Sequence, residues 1–212
     1  MNSIVHYPGD DCRDPSAVGN AGSKPIQRVE PIIKVYDIAY LLFEKPDLDK
    51  QVSFLEDFGM HVAQRDEDTV YLRGNGPSPW FYGARRGSKS RLLGSGYLVR
   101  SRAELETISA ETGSPIEPIT EPGGGERVRL RDPDGFSVDI VFGRENVDRL
   151  ACREAPFAVN TPAEKQRVNC RVSTPVAPSP LERLGHFVLA VTNFSVSQDW
   201  YMRHLGIIPG DV

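Results

Sequence analysis

The sequence predicts an α+β protein in which paired βαβββ modules form one curled mixed-sheet domain, followed by the truncated start of a second such domain. Three observations predict this. The order strand, helix, three strands can be read twice between residues 31 and 143. Each of the two helices stops at a glycine, Gly59 and Gly113. An offset of 147 residues lays the opening strand and helix onto the segment that starts near residue 184.

Taken in order, Lys34 to Phe43 (KVYDIAYLLF) is rich in β-branched and aromatic residues and reads as a largely buried strand. Pro46 and Asp47 then stop the strand and cap a helix that carries Leu48, Val52, Leu55 and Phe58 at helical spacing and ends at Gly59. Three short strands follow at His61 to Arg65, Thr69 to Arg73 and Trp80 to Arg85. Trp80, Phe81 and Tyr82 place aromatics on both faces of the last, a pattern of packing rather than of a substrate platform. The cluster Arg85, Arg86, Lys89 and Arg91 reads as a solvated loop.

The order then recurs. Ser95 to Arg100 reads as a strand, Ser101 and Glu104 as a capping box, and Leu105 and Ile108 as the apolar face of a helix ending at Gly113. Strands are expected at Ile116 to Ile119, Glu126 to Arg131 and Phe136 to Phe142, with the tight turn Asp132-Pro133-Asp134-Gly135 between the last two. Gly123 to Gly125 precedes no helix and reads as a flexible loop, not a phosphate cradle. Two modules with one apolar sheet face and one helix each bury those faces only together, so residues 31–143 are expected to form one domain.

Outside that domain, residues 1–30 read as a disordered tail, poor in clustered apolar residues, where His6 and Cys12 lack any shell to orient them toward a metal. Residues 144–183 read as a linker, and 184–212 as the first strand (Leu184 to Val191) and helix of an incomplete second domain. Ser195 and Gln198 form another capping box ahead of Val196, Trp200, Leu205 and a stop at Gly206. A net charge of −4 over 212 residues argues against nucleic acid. No apolar run reaches the length of a membrane span, and no secretory signal is evident at the start, so a cytoplasmic address is expected. Cys12, Cys152 and Cys170 are an odd set without CxxC spacing and read as reduced thiols.

The 147-residue offset places Ala39-Tyr40-Leu41-Leu42 on His186-Phe187-Val188-Leu189, Phe54 on Tyr201, Phe58 on Leu205 and Gly59 on Gly206. Strand, helix length and helix stop agree, which reads as a domain-scale duplication.

With these residues in view, the chain resembles the vicinal oxygen chelate superfamily, and within it the N-terminal part of a two-domain extradiol ring-cleavage dioxygenase. The resemblance is carried by the paired modules, the hairpin DPDGFSVD (Asp132 to Asp139), the linker NTPAEK (Asn160 to Lys165), LGHFVL (Leu184 to Leu189), Trp200-Tyr201 and Leu205-Gly206. It implies a site of two imidazoles and one carboxylate holding Fe(II), with Mn(II) an alternative, open on one face to the two oxygens of a small aromatic diol and to O₂. In the first domain the matching positions hold Ala39, Gly94 and Asp139, two of which cannot ligate, so no metal is expected there. In the second domain His186 matches the first ligand, whereas positions for the second His, the Glu, the acid/base His and the substrate-gripping Tyr are not reached. His204 and His61 match no ligand position.

The chain by itself is therefore expected to bind no metal and to be inactive, as the N-terminal portion of a dioxygenase that assembles as a homo-oligomer. Two other readings remain open from the residues: a non-catalytic small-molecule binding or scaffolding domain of the same fold, and a glyoxalase-like isomerase.

Overall fold

The computed structural model describes residues 29–151, 160–169 and 179–208. The calls on residues 1–28, including His6 and Cys12, and on Cys152 and Cys170 lie outside the described residues.

The elements are β1 (Asp37–Lys45), α1 (Leu48–Asp57), β2 (His61–Arg65), β3 (Thr69–Arg73), β4 (Tyr82–Arg86), β5 (Arg91–Leu98), α2 (Arg102–Thr112), β6 (Ile116–Pro118), β7 (Glu126–Arg131), β8 (Ser137–Phe142) and α3 (Phe194–Leu205). All eight strands form one sheet in the order β2-β3-β4-β1-β5-β8-β7-β6. The first module thus runs outward from β1 and the second outward from β5, so the two mirror each other about a central β1–β5 seam. Each module has one parallel pair, β1 with β4 and β5 with β8, and its other pairs are antiparallel. The seam is antiparallel and shifts register twice, between Ile38 and Tyr40 and between Leu42 and Phe43. Such bulges bend a strand and increase local twist, which curls the sheet at its centre.

Local sequence accounts for the helix ends. The Asp47 carboxylate accepts the Lys50 N–H at 2.9 Å to start α1, and Ser101 and Glu104 cap each other's backbone to start α2. Gly113 and Gly206 close α2 and α3 in the left-handed region that a side chain disfavours.

Burial divides the sheet into two faces. Leu48 and Val52 of α1 pack on Val70, Leu72 and Ala84. Leu105 and Ile108 of α2 pack on Val128, Leu130, Val138 and Ile140. Each such fully buried aliphatic side chain stabilises the fold by about 1.5–3 kcal/mol. Tyr40, Trp80, Ile119 and Val141 form a third cluster. Tyr71 lies between Val70 and Leu72 in β3 and meets this third cluster, so both helices cover one face and the aromatic cluster fills the other. No helix among the described residues is long and apolar enough to cross a membrane.

Several expectations need correction. Leu184 to Val191 is not a strand. A strand exists by pairing, and no backbone hydrogen bond joins this segment to a described strand, although side chains of β1 and β5 lie beside it. The cap of α3 is Asn193, whose side chain accepts the Val196 N–H at 3.2 Å, and not Ser195, which is already helical. Arg85 and Arg86 end β4 and Arg91 opens β5, so of the basic cluster only Lys89 lies in the loop at 87–90. Trp80 and Phe81 precede β4. Lys34 to Tyr36 precede β1, where the Val35 and Tyr36 N–H groups donate to the Leu205 and Leu98 carbonyls.

Candidate functional site

The first unit's face away from the helices is built by strand alternation. In β7, Val128 and Leu130 point to α2, so Arg127 and Arg129 point to the opposite face. β8 brings Asp139 directly beside Arg129 and, on its other side, level with Gly96 of β5. The Arg129 guanidinium holds Asp139 with two hydrogen bonds of 2.7 and 2.9 Å. The Tyr40 hydroxyl donates to the same carboxylate at 2.9 Å. Asp139 is 1% exposed.

Burial of Tyr40, reinforced by the neighbouring carboxylate, raises its pKa well above the usual phenol range. Hydrogen bonding to Asp139 likewise raises the Arg129 pKa. Burial is the largest single influence on Glu121 and disfavours its charge, yet the hydrogen bond from Arg127, 3.0 Å, the charge of Arg127 and backbone hydrogen bonds at residues 120 and 121 together outweigh it and hold the carboxyl below its ordinary range. The Tyr40 ring stacks on Trp80 with centroids 4.3 Å apart. It also fills the space above Gly96, where an added Cβ would stand 2.6 Å from the ring.

Of the three positions matched to metal ligands in this unit, Ala39 is buried in the β1 bulge and Gly94 pairs with Ser137 so closely that an added Cβ would stand 2.2 Å from the Ser137 carbonyl oxygen. Asp139 spends its carboxylate on Arg129 and Tyr40. This arrangement is suited to joining β1, β7 and β8 by charge, not to coordinating an ion. The sequence reading named Asp139 but missed its partners. The alternation in Glu126 to Arg131 (ERVRLR) was the available signal for the two arginines, while Tyr40, 99 residues from Asp139, carried none.

His186 is exposed, on a segment where Phe187, Leu189 and Val191 are half-buried and Val188 is 91% exposed. With Tyr36, Ile38, Tyr97 and Tyr201 this segment lines an open, mostly apolar groove of about 660 Å³ against α3. His204 lies on α3, its Nδ1 2.8 Å from the Trp200 carbonyl and its ring stacked on Trp200. His61 is exposed at the start of β2. The structure does not bring these histidines together, and no group of three His, Cys, Asp or Glu side chains among the described residues is placed to hold a metal ion. The donors present therefore do not fit the implied Fe(II) or Mn(II).

Residues 179–208 are nonetheless firmly docked. The Asn75 N–H donates to the Leu181 carbonyl at 2.6 Å. Thr192 donates its N–H and its hydroxyl to Asp134, at 3.1 and 2.6 Å, and the Tyr201 hydroxyl donates to Asp132 at 3.0 Å. Leu205 is fully buried in the α2 cluster. The tight turn that the sequence reading treated as a hairpin connector is thus also the dock for α3.

No protein-family model matches the chain. In sequence it is 25% identical over 171 residues to a manganese-dependent 2,3-dihydroxybiphenyl 1,2-dioxygenase of Geobacillus genomosp. 3, covering 76% of this chain and 50% of that protein. Among solved structures it is similar to homoprotocatechuate 2,3-dioxygenase of Brevibacterium fuscum in complex with 3,4-dihydroxyphenylacetate (TM-score 0.51, 26% identity, 57% of this chain, 40% of that one). The Arthrobacter globiformis homoprotocatechuate 2,3-dioxygenase gives TM-score 0.50 at 32% identity, with the same coverage. A Mn(II)-bound glyoxalase from Novosphingobium aromaticivorans (TM-score 0.51, 20% identity, 57% of this chain, 43% of that one) shares the fold. The chain spans about half the length of the curated relative it matches. With its mirrored modules and curled mixed sheet, the chain has the vicinal oxygen chelate fold and, in sequence, is similar to extradiol dioxygenases.

Proposed function

We propose that this chain is the N-terminal portion of an extradiol dioxygenase acting on a small aromatic diol, with His186 as the first metal ligand of a second unit completed by groups outside the described residues. The observation that carries the reading is the repeat. Gly59 after α1 and Gly206 after α3 both take positive φ, 95° and 69°, and stand at the same offset that places His186 on the first-ligand position of the repeat. The similarity to dioxygenases in sequence supports the same reading.

The bound Fe(II) or Mn(II) would supply the centre at which diol and O₂ meet. Apart from His186, the described residues contribute no donor to that site and perform no chemical step. Their part is to hold: the Arg129–Asp139–Tyr40 cluster keeps the first unit rigid, and Asp132 and Asp134 fix the helix that follows His186.

Two measurements test this. The 212-residue chain, given Mn(II) or Fe(II) and 2,3-dihydroxybiphenyl in air, is expected to form no ring-opened product; accumulation of the yellow product would overturn the reading. In a chain carrying the complete second unit, His186→Ala is expected to abolish metal retention and ring cleavage together, and unchanged turnover would refute the assignment of His186.

A further inference from the structure

We propose that the cavity between the start of β1 and the segment Glu182–Leu184 binds a small organic carboxylate with a flat apolar body. The cavity holds about 350 Å³, a volume in the range of small-molecule sites. It does not depend on the metal reading.

Uncompensated charge is the first ground. Arg144, in its wall, donates from Nη1 to the Ala39 carbonyl at 3.1 Å and from Nη2 to the Trp80 carbonyl at 2.9 Å. Its guanidinium faces the Tyr40 and Trp80 rings at 5.2 and 4.9 Å. Its buried Nε has no hydrogen-bond partner, and among the described residues no carboxylate forms a salt bridge with it, the charge of Glu121 acting on it only from farther away. Burial brings its pKa down to about 10, as desolvation does to a cation whose neighbours compensate it only in part. Carbonyl dipoles and ring faces are weaker partners than a counter-ion, and a buried cation without one is costly.

The remaining charges of the cavity are the second ground. Arg183 is neutralised by Asp37 at 3.1 Å and Glu182 by Arg149 at 2.6 Å. Arg100 has no acidic partner among the described residues and lies over the Tyr36 ring at 4.6 Å. The cavity is left with two positive charges, Arg144 within and Arg100 at the surface, beside apolar walls of Ile38, Phe81, Leu98 and Phe142. Positive charge without apolar surface would suit a compact inorganic anion. The combination suits an acid with one ring, whose carboxylate meets the guanidinium groups and whose body displaces water from the walls.

Calorimetric titration of the full chain with benzoate, inorganic phosphate and benzamide tests this. Benzoate is expected to bind at one site, phosphate roughly tenfold or more weakly, and benzamide not measurably, since a charged hydrogen bond is worth about one to two powers of ten in affinity. Arg144→Gln is expected to weaken benzoate roughly tenfold or more. Absence of benzoate binding, equal binding of benzamide or phosphate, or undiminished affinity in Arg144→Gln would each overturn the proposal. Should Arg144→Gln fail to fold by circular dichroism, the exposed Arg100→Glu decides: affinity for benzoate falls about tenfold if the proposal holds, and an unchanged affinity overturns it.

Discussion

Asp139 shows how one residue type serves two ends. A carboxylate on the last strand is a donor that a metal site wants, but two arginine hydrogen bonds and a tyrosine hydroxyl claim it first. Asp139→Asn keeps the shape and removes the charge, leaving Arg129 without its counter-ion and Arg127, which keeps Glu121, without the second negative charge at 3.8 Å. Urea denaturation is expected to show a loss of about 3 kcal/mol, at the low end for a broken buried pair because the Arg129 side chain still reaches water. A change below about 0.5 kcal/mol would mean the cluster is not what joins β1 to β7 and β8. Tyr40 adds a pH dependence. Its folded pKa lies above the unfolded value of 10.0, so its contribution is fully present below pH 10.0 and is lost as pH rises beyond that value toward the folded pKa. Burial shifts Tyr97 and Tyr201 the same way. Stability is therefore expected to fall steeply at alkaline pH, and Tyr40→Phe is expected to lessen that fall. An unchanged alkaline profile of stability in Tyr40→Phe would contradict the burial argument. Alternation along Glu126 to Arg131 holds a local trace of Arg127 and Arg129 as a same-face pair, which the assignment of a strand alone leaves unused, whereas contact across 99 residues to Tyr40 is a product of the folded sheet and is written in no local pattern.

Elements with self-contained signals were legible. His61 to Arg65, Thr69 to Arg73 and Glu126 to Arg131 are strands over the residues read, and both capped ends of α2 are where Ser101 and Gly113 put them. Leu184 to Val191 has strand composition but no strand, because composition supplies side chains and not the neighbouring backbone that a ladder requires. Its following helix forms regardless, since capping and a docked face suffice. That docking rests on the β7–β8 turn. Asp134 accepts from Thr192 and Ser197, and the Thr192 hydrogen bonds hold its carboxyl below the ordinary range. Asp134→Ala is expected to speed hydrogen exchange in α3 at least several-fold while leaving β7 and β8 protected, because α3 opens as its own unit. Equal acceleration in the sheet would show that the turn matters to the hairpin alone.

At the scale of the molecule, the mirrored order of the sheet was legible only as a repeat of element types; the seam between β1 and β5 follows from the need of two half-covered sheets to close on each other. Helix α3 was recognisable from the 147-residue offset but the strand expected before it was not formed, and the groove beside α3 and the exposed position of His186 follow from what lies beside them in space. The path of the chain from Ser179 to Leu181 has its own consequence. It runs so close to Gly59 and Gly74 that a Cβ at either would overlap its carbonyl oxygens, at 2.1 and 2.2 Å. Together with the contacts of α3 on the β7–β8 turn and the α2 cluster, this lashes residues 179–208 to both modules without help from the exposed stretch at 160–169. Cleavage after Lys165 by a lysine-specific protease should accordingly yield two peptides that still travel as one particle in gel filtration, separating only in denaturant. The covalent continuity of that stretch is dispensable for cohesion, and the two pieces, made separately, should find each other and reconstitute.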